Sequence, residues 1–86
     1  MKPEVRFYTR PGCSLCDSAE DVVKDTLGQR SMKFTVFNVE DDPDLERRYG
    51  HDVPVIEVES PDETKTFRHR LDRDEFEQEI RRLWNT

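Results

Sequence analysis

The chain has 86 residues, with 14 lysines and arginines against 20 aspartates and glutamates, for a net charge of −6. It is 40% charged and 33% hydrophobic, a balance that suits disorder if the apolar residues are scattered and one small domain if they are ordered. An acidic chain with no basic face is poorly matched to a phosphate backbone, so nucleic acid is not an expected partner. The apolar runs are a few residues long against the roughly 20 that a bilayer requires, so no membrane span is expected. Met1 to Glu4 lacks the apolar stretch of a secretory leader, and the expected location is the cytoplasm.

The apolar residues are ordered. Glu4 to Thr9 is rich in β-branched and aromatic residues and predicts a strand, broken by Arg10-Pro11-Gly12. Leu15, Ala19, Val22, Val23 and Leu27 then recur at helical spacing, with Gly28 as the C-terminal stop. Lys33 to Val39 is apolar on both alternating faces. It predicts a strand buried on both sides, central or parallel, joined to the first through a βαβ crossover.

Asp42-Pro43 places an N-cap residue before a proline at the first helical position, predicting a short helix through Tyr49 that ends at Gly50. Pro54 to Glu59 reads as a third strand. After the turn-like Ser60-Pro61-Asp62-Glu63, Thr64 to Arg70 reads as its antiparallel return. Asp72 and Glu75 have capping-box spacing, and Phe76, Ile80, Leu83 and Trp84 give the last helix its apolar face. The expected architecture is α/β, in the order β-α-β-α-β-β-α. It is a four-stranded mixed sheet with three helices, in a single domain over residues 1–86.

The chemistry concentrates at Cys13-Ser14-Leu15-Cys16, between the first strand and the first helix. Two cysteines are too few for a disulfide scaffold, and this spacing in a reducing compartment points to redox chemistry or metal. Free N–H groups and the positive end of the dipole stabilise an anion at a helix N-terminus, so Cys13 is expected to have a lowered pKa and to be the nucleophile. Cys16, one turn on, is expected to be more buried and to resolve the mixed disulfide. Arg10 is a cationic neighbour, and Asp17 an opposing anion beside Cys16.

Tyr8-Thr9-Arg10-Pro11-Gly12-Cys13-Ser14-Leu15-Cys16, together with Val53-Pro54 before the third strand, resembles the glutaredoxins of the thioredoxin-like superfamily. The likeness covers nearly the whole chain. It implies a thiol–disulfide oxidoreductase acting on protein or small-molecule disulfides. It also implies that Pro54 is cis and faces the cysteines, that Arg10 and Asp74 contact glutathione, and that Val53 and Pro54 border the substrate groove. No bound cofactor is expected, and the reductant would be glutathione or a flavin-dependent disulfide reductase. A monomer is the default.

The sequence departs from the family pattern in three places. Ser14-Leu15 stands where Pro-Tyr is common, Asp52 where threonine precedes the valine, and Arg70-Leu71-Asp72-Arg73 where a Gly-Gly pair lets glutathione approach the backbone. The motif therefore matches better than the glutathione site.

Two other readings use the same residues. The cysteines could carry an iron–sulfur cluster or metal, although His51 and His69 do not have zinc-finger spacing. The domain could also be a redox-inert adaptor binding through its acidic face. His51 beside Asp52 reads as a solvent-facing loop residue rather than half of a catalytic pair. Glu40-Asp41-Asp42-Pro43-Asp44 reads as a solvated helix cap rather than a cation loop.

Overall fold

In the computed structural model, which describes residues 4–28 and 32–84, the elements follow the predicted order. They are β1 (Glu4–Thr9), α1 (Ser14–Leu27), β2 (Lys33–Asn38), α2 (Pro43–Tyr49), β3 (Val55–Glu59), β4 (Thr64–Arg68) and α3 (Arg73–Trp84). The sheet order is β2-β1-β3-β4. β1 runs parallel to β2 and antiparallel to β3, with Phe7 opposite Val36 and Ile56, and β4 closes the sheet antiparallel to β3. A parallel neighbour needs a crossover, which α1 supplies, whereas β3 and β4 need only the turn at residues 60–63.

Alternation along the strands divides the apolar residues between the two faces. Val5, Phe7, Ile56, Val58 and Phe67 form one core with Ala19, Val23 and Leu27 of α1 and Phe76 and Ile80 of α3. Phe67 meets Phe76 edge to face at 5.3 Å. The side chain of Trp84, expected in this core, lies outside the described residues.

The opposite face has a smaller core of Tyr8, Val39 and Val55, against which Phe37, Leu45, Tyr49 and Val53 pack. No residue of α2 is fully buried, so the helix is held mainly by its rim. Tyr8 stacks on Phe37 at 5.2 Å and on Tyr49 at 4.0 Å. Both tyrosine hydroxyls donate to Glu57, at 2.9 and 3.2 Å, and Arg6 Nε donates to the same carboxylate at 3.1 Å.

Local boundaries differ from the sequence reading for identifiable reasons. β2 is parallel but is an edge strand, not a central one, and Val36 is 44% exposed. Phe34 and Phe37 owe their partial burial to contact with Phe7 and Tyr8 of the single neighbouring strand. β2 stops at Asn38, whose side chain accepts the Glu40 N–H at 2.9 Å and starts a 3₁₀ turn over Val39–Asp41. β3 begins at Val55, after the Val53–Pro54 bond, which is cis. β4 ends at Arg68 because His69 turns out of the strand with φ 66°. Asp42 and Asp72 cap the last two helices as expected, accepting the N–H groups of Asp44 and Glu75 at 2.8 and 3.0 Å.

Candidate active site

β1 delivers the chain to Arg10-Pro11-Gly12. Gly12 has φ +74°, a left-handed conformation that a side chain would strain, and this turn aims Cys13 back over the start of α1. Cys13 is the N-cap. Its backbone is extended (φ −102°, ψ 108°), and its carbonyl accepts the Asp17 N–H at 3.1 Å, opening the helix.

Cys13 Sγ accepts the Cys16 N–H at 3.1 Å, so sulfur stands where a serine or aspartate oxygen usually caps a helix. An N–H donated to sulfur at the positive end of a 14-residue helix is suited to hold negative charge.

Cys16 lies one turn on, and its side chain is directed into the protein. Cys13 is partly exposed, whereas Cys16 is 1% exposed, and neither is in a disulfide. Burial pushes the Cys16 thiol up, and its hydrogen bond with the Cys13 sulfur adds to this. The Thr9 side chain and the Arg10 backbone act in the opposite direction. The site thus sets one accessible sulfur and one sheltered thiol a helical turn apart.

The Val53–Pro54 segment lies beside this site. Tyr8 is opposite Val55, so one step further along the register Pro54 comes opposite Thr9, at the strand end that leads to the cysteines. Pro54 is buried, and Val53 packs in the smaller core. The single N–H of His69 is shared between the carbonyls of Asp52 (2.9 Å) and Pro54 (2.8 Å), tying the loop after β4 to the cis-proline. Arg68 adds a second tie, donating to Asp52 at 3.1 Å. His51 is exposed, as expected for a loop residue.

Arg10 is near the site, with its Nη1 and Nη2 groups engaged by the α2 region. The guanidinium donates to Glu46 at 2.5 Å, to the Gly50 carbonyl at 2.9 Å and to Glu40 at 3.4 Å. No periodic signal in the sequence marks this clamp, because Gly50 reads there only as a helix stop. Asp74 is exposed in the first turn of α3.

Between α1 and the loop into α3 lies a pocket of 280 Å³. Leu15, Ala19, Val22 and Leu71 form its apolar wall, and Ser18, His69, Arg70 and Asp72 supply its polar lining. The side chains that replace the expected Gly-Gly pair thus line a pocket. Among the described residues, no group of three or more histidine, cysteine, aspartate or glutamate side chains is gathered as for a metal ion. None of the described helices is long and apolar enough to cross a membrane.

Residues 4–81 match the family model "Glutaredoxin-like domain (DUF836)". The chain belongs to this glutaredoxin-like family. A relative from Dictyostelium discoideum, described as a glutaredoxin-like protein YDR286C homolog, is 33% identical over 78 residues, covering 84% of this chain and 69% of its own length.

Among solved structures, the target protein XcR50 from X. campestris is 26% identical, with a TM-score of 0.69 over 88% of this chain and 93% of its own. A thioredoxin from Halobacterium salinarum has a TM-score of 0.76 at 19% identity, covering 95% of this chain and 74% of its own. Thioredoxin 1 from Thermosipho africanus has a TM-score of 0.74 at 16% identity, over 92% and 91%. The likeness to the thioredoxins is one of fold. This glutaredoxin-like domain is therefore of the thiol-oxidoreductase-like kind, on a thioredoxin fold.

Proposed function

We propose that this glutaredoxin-like domain reduces disulfides through the Cys13–Cys16 dithiol. The observation that supports this reading best is the helix N-cap, where Cys13 Sγ accepts the Cys16 N–H while Cys16 itself is buried behind it. Cys13, as thiolate, attacks one sulfur of the substrate disulfide. That S–S bond breaks, the departing thiolate takes up a proton, and a Cys13–substrate disulfide remains. Cys16 then gives up its proton and attacks Cys13 Sγ, releasing the second substrate thiol and leaving a Cys13–Cys16 disulfide. The dithiol has supplied two electrons and the substrate has accepted them.

An external thiol, either glutathione or the dithiol of a flavin-dependent reductase, returns the pair to its reduced state. The reaction needs no bound cofactor. We place it in the cytoplasm, on a monomer, with disulfide-bearing proteins or small molecules as substrates.

Titration of the protein in graded glutathione redox buffers, read by mass spectrometry, tests the reading. The expected result is a reversible two-electron transition. Cys13→Ser should abolish turnover, and Cys16→Ser should accumulate the mixed disulfide on Cys13. Turnover by Cys13→Ser, or the absence of any reversible transition, would overturn the proposal.

A further inference from the structure

The 20 acidic residues of this chain outnumber its cations, and the arginines are paired accordingly. Arg6, Arg10, Arg47, Arg68, Arg73, Arg81 and Arg82 each have a carboxylate partner, and Arg48 lies over the Tyr49 ring. Among the described residues, Arg70 is the arginine with neither a carboxylate nor a ring against it, and it is exposed at the edge of the 280 Å³ pocket. The aspartate beside it in that edge, Asp72, is engaged in capping α3, its Oδ1 accepting the Glu75 N–H at 3.0 Å.

The pocket wall is equally particular. Leu15 sits between the two cysteines in sequence and is 41% exposed. It continues into Ala19 and Val22 along α1 and faces Leu71 across the pocket. Leu15 is two residues from Cys13, so a substrate whose sulfur reaches Cys13 can extend over this wall toward Arg70, whose neighbours in the lining are His69 and Asp72. The ligand complementary to that surface has an apolar group next to its reacting sulfur and a carboxylate beyond it.

We propose that this groove sets the substrate class of the dithiol. It selects peptide disulfides of partner proteins in which cysteine is flanked by an apolar residue and an acidic one, with Arg70 as the specificity-determining residue. The proposal rests on the oxidoreductase reading above. Burial of the apolar side chain supplies affinity, and the Arg70–carboxylate attraction supplies orientation and encounter rate. The reaction is the same two-electron exchange, in which the peptide disulfide leaves as two thiols and the Cys13–Cys16 disulfide forms.

The test is single-turnover reduction by the pre-reduced protein, which needs no further reductant. Two synthetic peptide disulfides carry leucine beside cysteine and differ only in glutamate or lysine at the next position. Each rate is divided by the same protein's rate on uncharged hydroxyethyl disulfide. The glutamate peptide should react about tenfold faster than the lysine peptide at low salt, with the advantage shrinking as salt is added. Arg70→Glu should reverse the order, and serine in place of the leucine should slow the glutamate peptide.

Equal normalised rates for the two peptides, or a preference unchanged in Arg70→Glu, would overturn the groove assignment and leave the oxidoreductase reading intact. So would an Arg70-dependent preference for oxidised glutathione over the glutamate peptide, which would assign the pocket to the tripeptide. Failure of the wild-type protein to reduce even hydroxyethyl disulfide would overturn the oxidoreductase reading and the substrate class with it.

Discussion

Gly50 has ordinary right-handed helical geometry, φ −56° and ψ −31°, so its backbone would accept any residue. Space is what requires glycine. A Cβ there would fall 2.5 Å from the Glu46 carbonyl oxygen and against the Glu46 carboxylate, the group that holds Arg10. Gly50→Ala should therefore destabilise the fold by about 1–3 kcal/mol through overpacking. In an Arg10→Ala background, where the clamp is already open, the cost should be smaller; urea unfolding of the four proteins measures the coupling.

Cys16 gives a second prediction at this scale. Burial, with the Cys13 hydrogen bond, raises its thiol above the ordinary 9.0. Between 9.0 and the raised value the folded chain holds a proton that the unfolded chain has lost, so stability of the reduced protein should fall as pH rises through that window. Urea unfolding of the reduced protein from pH 7 upward should show the decline, and Cys16→Ala should lack this contribution.

The element most dependent on side-chain contacts is α2. It is 7 residues long, too short to be stable alone, and contributes no fully buried side chain. Tyr49 holds it to the sheet through its stack on Tyr8 and its hydrogen bond to Glu57. Tyr49→Phe keeps the ring and should cost about 0.5–1.5 kcal/mol for the lost hydrogen bond. Tyr49→Ala also loses the stack and the buried area, and should cost about 2–3 kcal/mol more. Thermal unfolding ranks the two. The same helix carries Glu46, so Tyr49→Ala should also loosen Arg10, linking a packing contact on one face of the sheet to the charge beside the cysteines. By contrast α1 needs no such anchor, because Ala19, Val23 and Leu27 seat it in the main core and Cys13 caps it.

Across the whole molecule, a net charge of −6 remains after many of the carboxylates have been drawn into ion pairs with arginine or lysine. Arg6 joins Glu4, Glu57 and Glu59 across two strands, and Arg82 joins Glu63 in the β3–β4 turn to Glu79 in α3. These arginines hold the carboxyls of Glu4 and Glu63 below their ordinary 4.5. The unfolded carboxyls bind protons first as pH falls, so this stabilisation is present above about 4.5 and is lost as pH drops through the lowered folded values. Melting temperature should therefore begin to fall as pH drops below about 4.5. The pairs are exposed, so added salt should weaken their part of the effect.

What the sequence determined by itself was local. β-branched and aromatic content marked β1, 3.6-residue spacing marked α1 and α3, and Asp42-Pro43 and Asp72 marked helix starts, because each is encoded within a few consecutive residues. Cys13 and Cys16 could be read the same way, since a strand-to-helix junction and one helical turn fix their relation, and Cys16 is the more buried of the two, as expected.

The tertiary structure decided everything that joins distant segments. It put β2 at an edge, where a single neighbour leaves Val36 exposed. It turned Arg10 toward Glu46 and Gly50, 36 and 40 residues away. It bound the His69 N–H to Asp52 and Pro54, and it made a pocket of Arg70 and Leu71 where glycines were missed. Ion pairs between separate elements and pocket walls depend on which surfaces meet after the chain closes, and no spacing along the sequence records that.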